Sequence, residues 1–124
     1  MGGGDMLRPI PARILRTTVT VKACTGTDRY QNQTYETYTV KRVHLQPTNE
    51  IIKSTDNTDC QLRSVLFADG KHSTELDWMG LFATAHTNAG DMRVIVGGVE
   101  YTVAAVDKLM DDTDRFHHWE ISLS

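Results

Sequence analysis

Cysteine is scarce. The chain has two in 124 residues, Cys24 and Cys60, and neither belongs to a C-x-x-C pair or to a Cys/His ladder with zinc spacing. That pattern excludes a disulfide framework and points to free thiols in a reducing compartment. Long apolar runs are missing too. Stretches such as "VIV" and "VAAV" fall far below the roughly 20 residues a membrane-spanning helix needs. The start of the chain lacks the basic-then-apolar order of a signal peptide, so we expect no membrane association. No G-x-S-x-G, H-E-x-x-H, Walker loop, H-x-E with P-C-x-x-C or calcium-binding loop occurs, which removes the active sites those motifs announce. A triad assembled only in space leaves no trace along a chain. Basic residues are outnumbered, 13 against 16, for a net charge of −3, a poor balance for a dedicated nucleic-acid binder.

What is present describes a soluble globular protein. With 40% hydrophobic and 23% charged residues the composition is ordinary, and the length suits one domain. A domain of this size buries about two-thirds of the surface its unfolded chain exposes, enough for a core without staples. "MGGGD" (1–5) reads as a leader or disordered tip, and 6–124 as a single domain. Charge is unevenly spread. Residues 1–53 carry +4 and residues 54–124 carry −7, a split that suits subunits meeting positive face to negative face. Sequence halves need not be spatial halves, and surface charge also serves solubility.

The order of segments predicts a β protein. In "LRPIPARIL", Pro9 and Pro11 fix φ and bias their predecessors to extended geometry, so residues 6–16 read as an arm. "TTVTVKAC" alternates, with Val19, Val21 and Ala23 on one face, the period of a half-buried strand. "TYETYTVKRVHL" is a second strand whose apolar parity breaks between Val40 and Val43. A bulge at Lys41 and Arg42 would return both valines to one face. "QPTNEIIKSTDNTDC" reads as a long exposed loop over 47–59. "QLRSVLFADG" returns to strand, its run Val65, Leu66, Phe67 and Ala68 apolar on both faces and therefore central, ending at the turn pair Asp69 and Gly70. "STELDWMGLFATAH" has helical spacing at Trp78, Leu81, Phe82 and Ala85, with Ser73 or Thr74 as the cap and Gly80 costing about 1 kcal/mol. "MRVIVGGVEYTVAAVD" is a hairpin turning at Gly97 and Gly98. Strand, not helix, follows those glycines, which argues against phosphate binding.

Several short patterns offer chemistry. "DNTD" at Asp56 and "DDTD" at Asp111 have oxygen ligands for a hard cation but do not continue into a coordination loop. Tyr30, Tyr35 and Tyr38 could stack single-stranded bases on a small barrel, against the acidic balance. "FHHWEIS" (116–122) pairs two histidines with a glutamate. Strand alternation puts His117 with Trp119, Ile121 and Leu123, and His118 with Phe116 and Glu120. The two histidines then point apart, and a metal site would need His44, His72 or His86 to converge on His118 and Glu120.

The layout of "MLRPIPARILRTTVTV", "STDNTDCQLRSVLFADGKHS", "VIVGGVEYTVAAVDKL" and "FHHWEISL" resembles the small minor capsid proteins of tailed phages and prophages over residues 6–124. "MGLFATAHTNAGD" has no counterpart in that pattern. The resemblance implies a head-completion or stopper-like protein of the neck, a small β-barrel forming a ring between portal or adaptor and tail. It implies no catalytic residues and no cofactor. Partners would be other neck proteins, further copies of the chain and, non-specifically, packaged DNA; the location would be the virion, assembled in the host bacterial cytoplasm.

We therefore expect a mainly β fold: a small β-barrel or strongly bent antiparallel sheet with one short helix and long loops. Candidate contact residues are Arg8, Pro9, Ile10 and Pro11 on the arm, Glu50, Ile51, Ile52, Lys53 and Asp56 on the 47–59 loop, and His118 and Glu120 on the closing strand. The alternative is a β-barrel module binding nucleic acid or a peptide. A metal-dependent enzyme built on the histidines is a third reading, distinguished by stoichiometric metal.

Overall fold

The computed structural model describes residues 16–53, 57–113 and 115–124. Eight strands and one helix follow in order: β1 (Thr17–Thr27), β2 (Gln33–Pro47), β3 (Ile51–Lys53), β4 (Asp59–Gln61), β5 (Ser64–Asp69), α1 (Trp78–Thr87), β6 (Met92–Val96), β7 (Val99–Met110) and β8 (Phe116–Leu123). The protein is mainly β. Six strands pair antiparallel in the order β1-β2-β5-β8-β7-β6, and β6 returns to β1 to close the barrel. β3 and β4 form a separate two-stranded ribbon. The 47–59 segment is thus a hairpin instead of the irregular loop expected from its Asn, Asp, Ser and Thr content, because "IIK" and "DCQ" each supply three residues that pair.

Alternation places the core as the sequence reads. Val19, Val21 and Ala23 of β1, Leu66 and Ala68 of β5, and Trp119, Ile121 and Leu123 of β8 all face inward and are buried. β5 is central, bonded to β2 on one side and β8 on the other. The β6–β7 turn is the expected one: Gly97 (φ 55°) and Gly98 (φ 82°) take the positive values that a two-residue hairpin demands.

β2 carries the corner of the barrel. Its first part pairs with β1 and its last residues pair with β5, with Val43 bonded into both ladders. Between the pairs Thr17↔Val43 and Val19↔Val40, one β1 residue faces two on β2. This is the bulge at Lys41 and Arg42, with Arg42 at φ 61°, and it leaves both Val40 and Val43 fully buried. A bulge leaves backbone groups without ladder partners. Here the loop after β5 supplies them. The Lys41 amide donates to Thr74 Oγ1 (3.0 Å), and the Thr74 amide donates to the Lys41 carbonyl (3.1 Å). Ser73 Oγ accepts from the Asp69 amide (2.8 Å) and donates to the Arg42 carbonyl.

That employment of Ser73 and Thr74 corrects the expected helix start. The N-cap of α1 is Asp77, whose carboxylate accepts the Gly80 amide at 3.1 Å. Gly80 also has a steric reason, since a Cβ there would stand 2.2 Å from Asp77 Oδ2. The helix packs on β1, β7 and β6, burying Trp78 and Ala85.

Removing the half-buried Ser73 hydroxyl should be costly, because it takes a partner from the Arg42 carbonyl at the bulge and from the Asp69 amide at the end of β5. We expect Ser73→Ala to lower stability by about 1–3 kcal/mol in urea denaturation. A change near zero would mean that the clip does not hold the corner.

Candidate interaction surfaces at the two barrel ends

Strand polarity collects the extensions of the chain at one end. The start of β1, the end of β2, the ribbon, the Gly97–Gly98 turn and the end of β8 all lie there. The opposite end carries α1 and the turns at Asp28–Asn32, Asp69–Asp77 and Met110–Arg115. The candidate residues of the arm (Arg8, Pro9, Ile10, Pro11) and Asp56 lie outside the described residues.

The ribbon is exposed and anchored at its root. Its register pairs Ile51 with Gln61, Ile52 with Cys60 and Lys53 with Asp59. Ile51 is 64% exposed, a large apolar side chain facing solvent. Lys53 and Asp59 form a 2.7 Å ion pair, which at such exposure contributes little to stability. The Glu50 carbonyl accepts from the Leu62 amide (2.8 Å), and the Arg63 carbonyl accepts from the Thr48 amide (3.0 Å). Leu62 is buried. Arg63 reaches across the barrel end, donating to the carbonyls of Glu100 (2.8 Å) and Ser124 (3.3 Å) while its guanidinium lies 4.4 Å from the centre of the Tyr101 ring. Nothing in the local sequence distinguishes Arg63 from any surface arginine, since its partners lie far along the chain.

The closing strand departs from simple alternation at its start. Met110 pairs with Phe116 and Leu109 with His118, so His117 is an extra residue in the β7–β8 ladder. Its carbonyl accepts the Gly70 amide (2.9 Å). The irregularity turns the His117 ring toward His118, and their Nδ1 atoms come within 2.7 Å. The expectation that the two rings point apart is therefore wrong, because it assumed an unbroken strand. Facing ring nitrogens at this distance share one proton, one donating and the other accepting. His118 Nε2 lies 3.5 Å from Glu120 Oε2, with the histidine side chain only 14% exposed. His44 does not join them: the Phe67 ring stands between, 6.0 Å from His44 and 6.2 Å from His118. His86 is held on α1, its Nδ1 3.0 Å from the Phe82 carbonyl. Among the described residues no three His, Cys, Asp or Glu side chains gather as a metal site.

The remaining patterns resolve into turn chemistry. Asp111 accepts from the amides of Thr113 and Arg115 and from the Thr113 hydroxyl, and these bonds, the Thr113 hydroxyl's first, hold its carboxyl below the usual range. Asp28 closes the β1–β2 turn through the amides of Asn32 and Tyr30, which lower its carboxyl likewise. The tyrosines make a poor base-stacking platform. Tyr35 donates to Asp91 (3.2 Å) and Tyr38 to Glu36 (2.8 Å), so carboxylates stand where phosphates would have to approach.

A further feature escaped the sequence reading. At the helix end, Glu75, Leu76, Asp77, Lys108, Phe116 and Trp119 line a recess of about 270 Å³. Lys108 and Trp119 are cross-strand partners, and the Lys108 ammonium lies 5.5 Å from the Trp119 ring and 5.4 Å from Phe116. The register of β7 against β8, together with the return of the loop before α1, brings these residues together.

The chain is thus a closed six-stranded barrel with an exposed ribbon at one end and a recess at the other. A family model described as "Minor capsid protein" matches residues 11–123, nearly the whole chain, and the chain belongs to that family. No curated protein matches it. The family places the chain among virion structural proteins, and among the described residues no helix is long and apolar enough to cross a membrane.

Burial, partly opposed by Glu120, holds the His118 ring below its ordinary value near 6.5. A histidine depressed in the folded state makes a contribution that is complete above the unfolded value and is lost as pH falls toward the folded one. Stability should therefore drop on acidification below about pH 6.5, and His118→Gln should flatten that dependence. Parallel thermal-melting curves for both proteins across pH 5–7 would contradict it.

Proposed function

We propose that this minor capsid protein is a component of the head–tail connector, head-completion or stopper-like, that joins a ring between portal or adaptor and tail and helps retain packaged DNA. The virion is its site of action and the host bacterial cytoplasm its site of assembly. The observation that carries the reading is the gathering of arm root, ribbon and C-terminal strand end at one end of a closed barrel. A ring subunit needs a body that does not deform and extensions that reach its neighbours. The arm contacts an adjacent component, and the ribbon, with Ile51 at its surface and Glu50, Lys53 and Asp59 about it, projects from the rigid anchor of Arg63. His118 and Glu120 lie on the barrel wall, where they face a neighbouring subunit.

Excising residues 49–61 tests this, because the cut spares Leu62 and Arg63. The shortened protein should fold with an unchanged far-ultraviolet β signature, while particles carrying it release DNA. Sealed, infectious particles from the excision variant would overturn the role of the ribbon.

A further inference from the structure

The recess at the helix end has the chemistry of a receptor for a cationic side chain. Its floor is aromatic: the Phe116 and Trp119 ring centres are 5.2 Å apart. Its lining includes Glu75 and Asp77. A guanidinium stacks on aromatic faces and donates to carboxylates at once. Lys108 already places an ammonium over both rings, so the floor is occupied by a cation from the barrel itself. That lysine is on a flexible four-carbon stem and ends in solvent, free to swing aside.

The chain contains a segment of matching chemistry. Residues 6–16, "MLRPIPARILR", hold Arg8, Arg13 and Arg16 and no acidic residue. At the helix end the turns at Asp28–Asn32, Asp69–Asp77 and Met110–Arg115 carry six acidic against three basic side chains among the described residues. β1 starts at the ribbon end and the recess opens at the helix end. Arg8 lies nine residues before β1, so it reaches about 30 Å when extended. Thr17, Val43, Ala68 and Trp119 follow one row of ladder pairs, so to fill the recess of its own barrel the arm would have to reverse at Thr17 and cross the outside of β2 and β5. To fill that of another copy set head to tail it need only continue outward.

We propose that the arm of one copy inserts an arginine into the Glu75–Asp77–Phe116–Trp119 recess of the next, making the head-to-tail contact between copies. This rests on the ring-forming reading above and names its contact.

The test uses the full-length protein and a synthetic peptide of residues 6–16, followed by calorimetry and by the indole resonances of the tryptophans. The peptide should bind and shift the Trp119 indole. Glu75→Lys, which leaves the Asp77 cap in place, should weaken binding roughly tenfold or more, as expected for loss of a charge-assisted cation contact. Lys108→Ala should tighten it by removing the resident cation, whereas a recess built for an anion would bind less well. In a Cys60→Ser background, Arg8→Cys in one chain and Glu75→Cys in another should form a disulfide between chains on mixing. No peptide binding, indifference to Glu75→Lys, or a link formed only within one chain of the double variant each overturn the proposal. Localisation of the protein at the portal vertex of purified virions reads the neck assignment separately. A vertex location without peptide binding would leave that assignment standing and remove this contact.

Discussion

Closing six strands into a barrel requires one of them to turn a corner, and here the corner is the bulge at Lys41 and Arg42. Without the extra residue, Val43 and every residue after it in β2 would sit on the wrong face. The β2–β5 ladder would then present His44 and Gln46 to the core. With it, Val40 and Val43 are both buried, each stabilising the fold by roughly 1.5–3 kcal/mol. The groups the bulge leaves unpaired are taken up by Ser73 and Thr74. That second step ties the loop after β5 back onto β2, and so fixes where Asp77 starts α1 and where Glu75 stands beside Lys108 and Trp119.

One constraint thus sets both ends of the molecule. At the helix end the clipped loop forms one wall of the aromatic recess, while at the ribbon end the run of β2 beyond the bulge carries Pro47 to its pairing with Ser64. The ribbon grows from there, held by Leu62 and Arg63. The two ends differ in whether they project or recede: the ribbon carries Ile51 into solvent, and the helix end holds the recess lined by Phe116 and Trp119.

Much of this fold was legible because its strands obey period two. Val19, Val21 and Ala23, the apolar run of β5 and the paired glycines at 97 and 98 each announced their place, and the parity break at Val40 and Val43 announced the bulge. The ribbon was not legible, since three-residue strands among turn-forming residues carry no period. The helix cap was misplaced because Ser73 and Thr74 have the right chemistry for a cap and are already engaged across the barrel. His117 misled for the opposite reason: an irregularity that leaves no mark in composition put its ring beside His118. The recess was invisible, being made by the pairing of Lys108 with Trp119 and by the return of the loop, both long-range.

The central claim is that this minor capsid protein stands in the neck of the particle. Cryo-electron microscopy of the virion at the portal vertex tests it most directly. The account predicts a ring of these barrels between head and tail, each with its ribbon end and helix end in contact with different neighbours. Copies spread over the capsid shell or along the tail tube, with the vertex built from other chains, would contradict it.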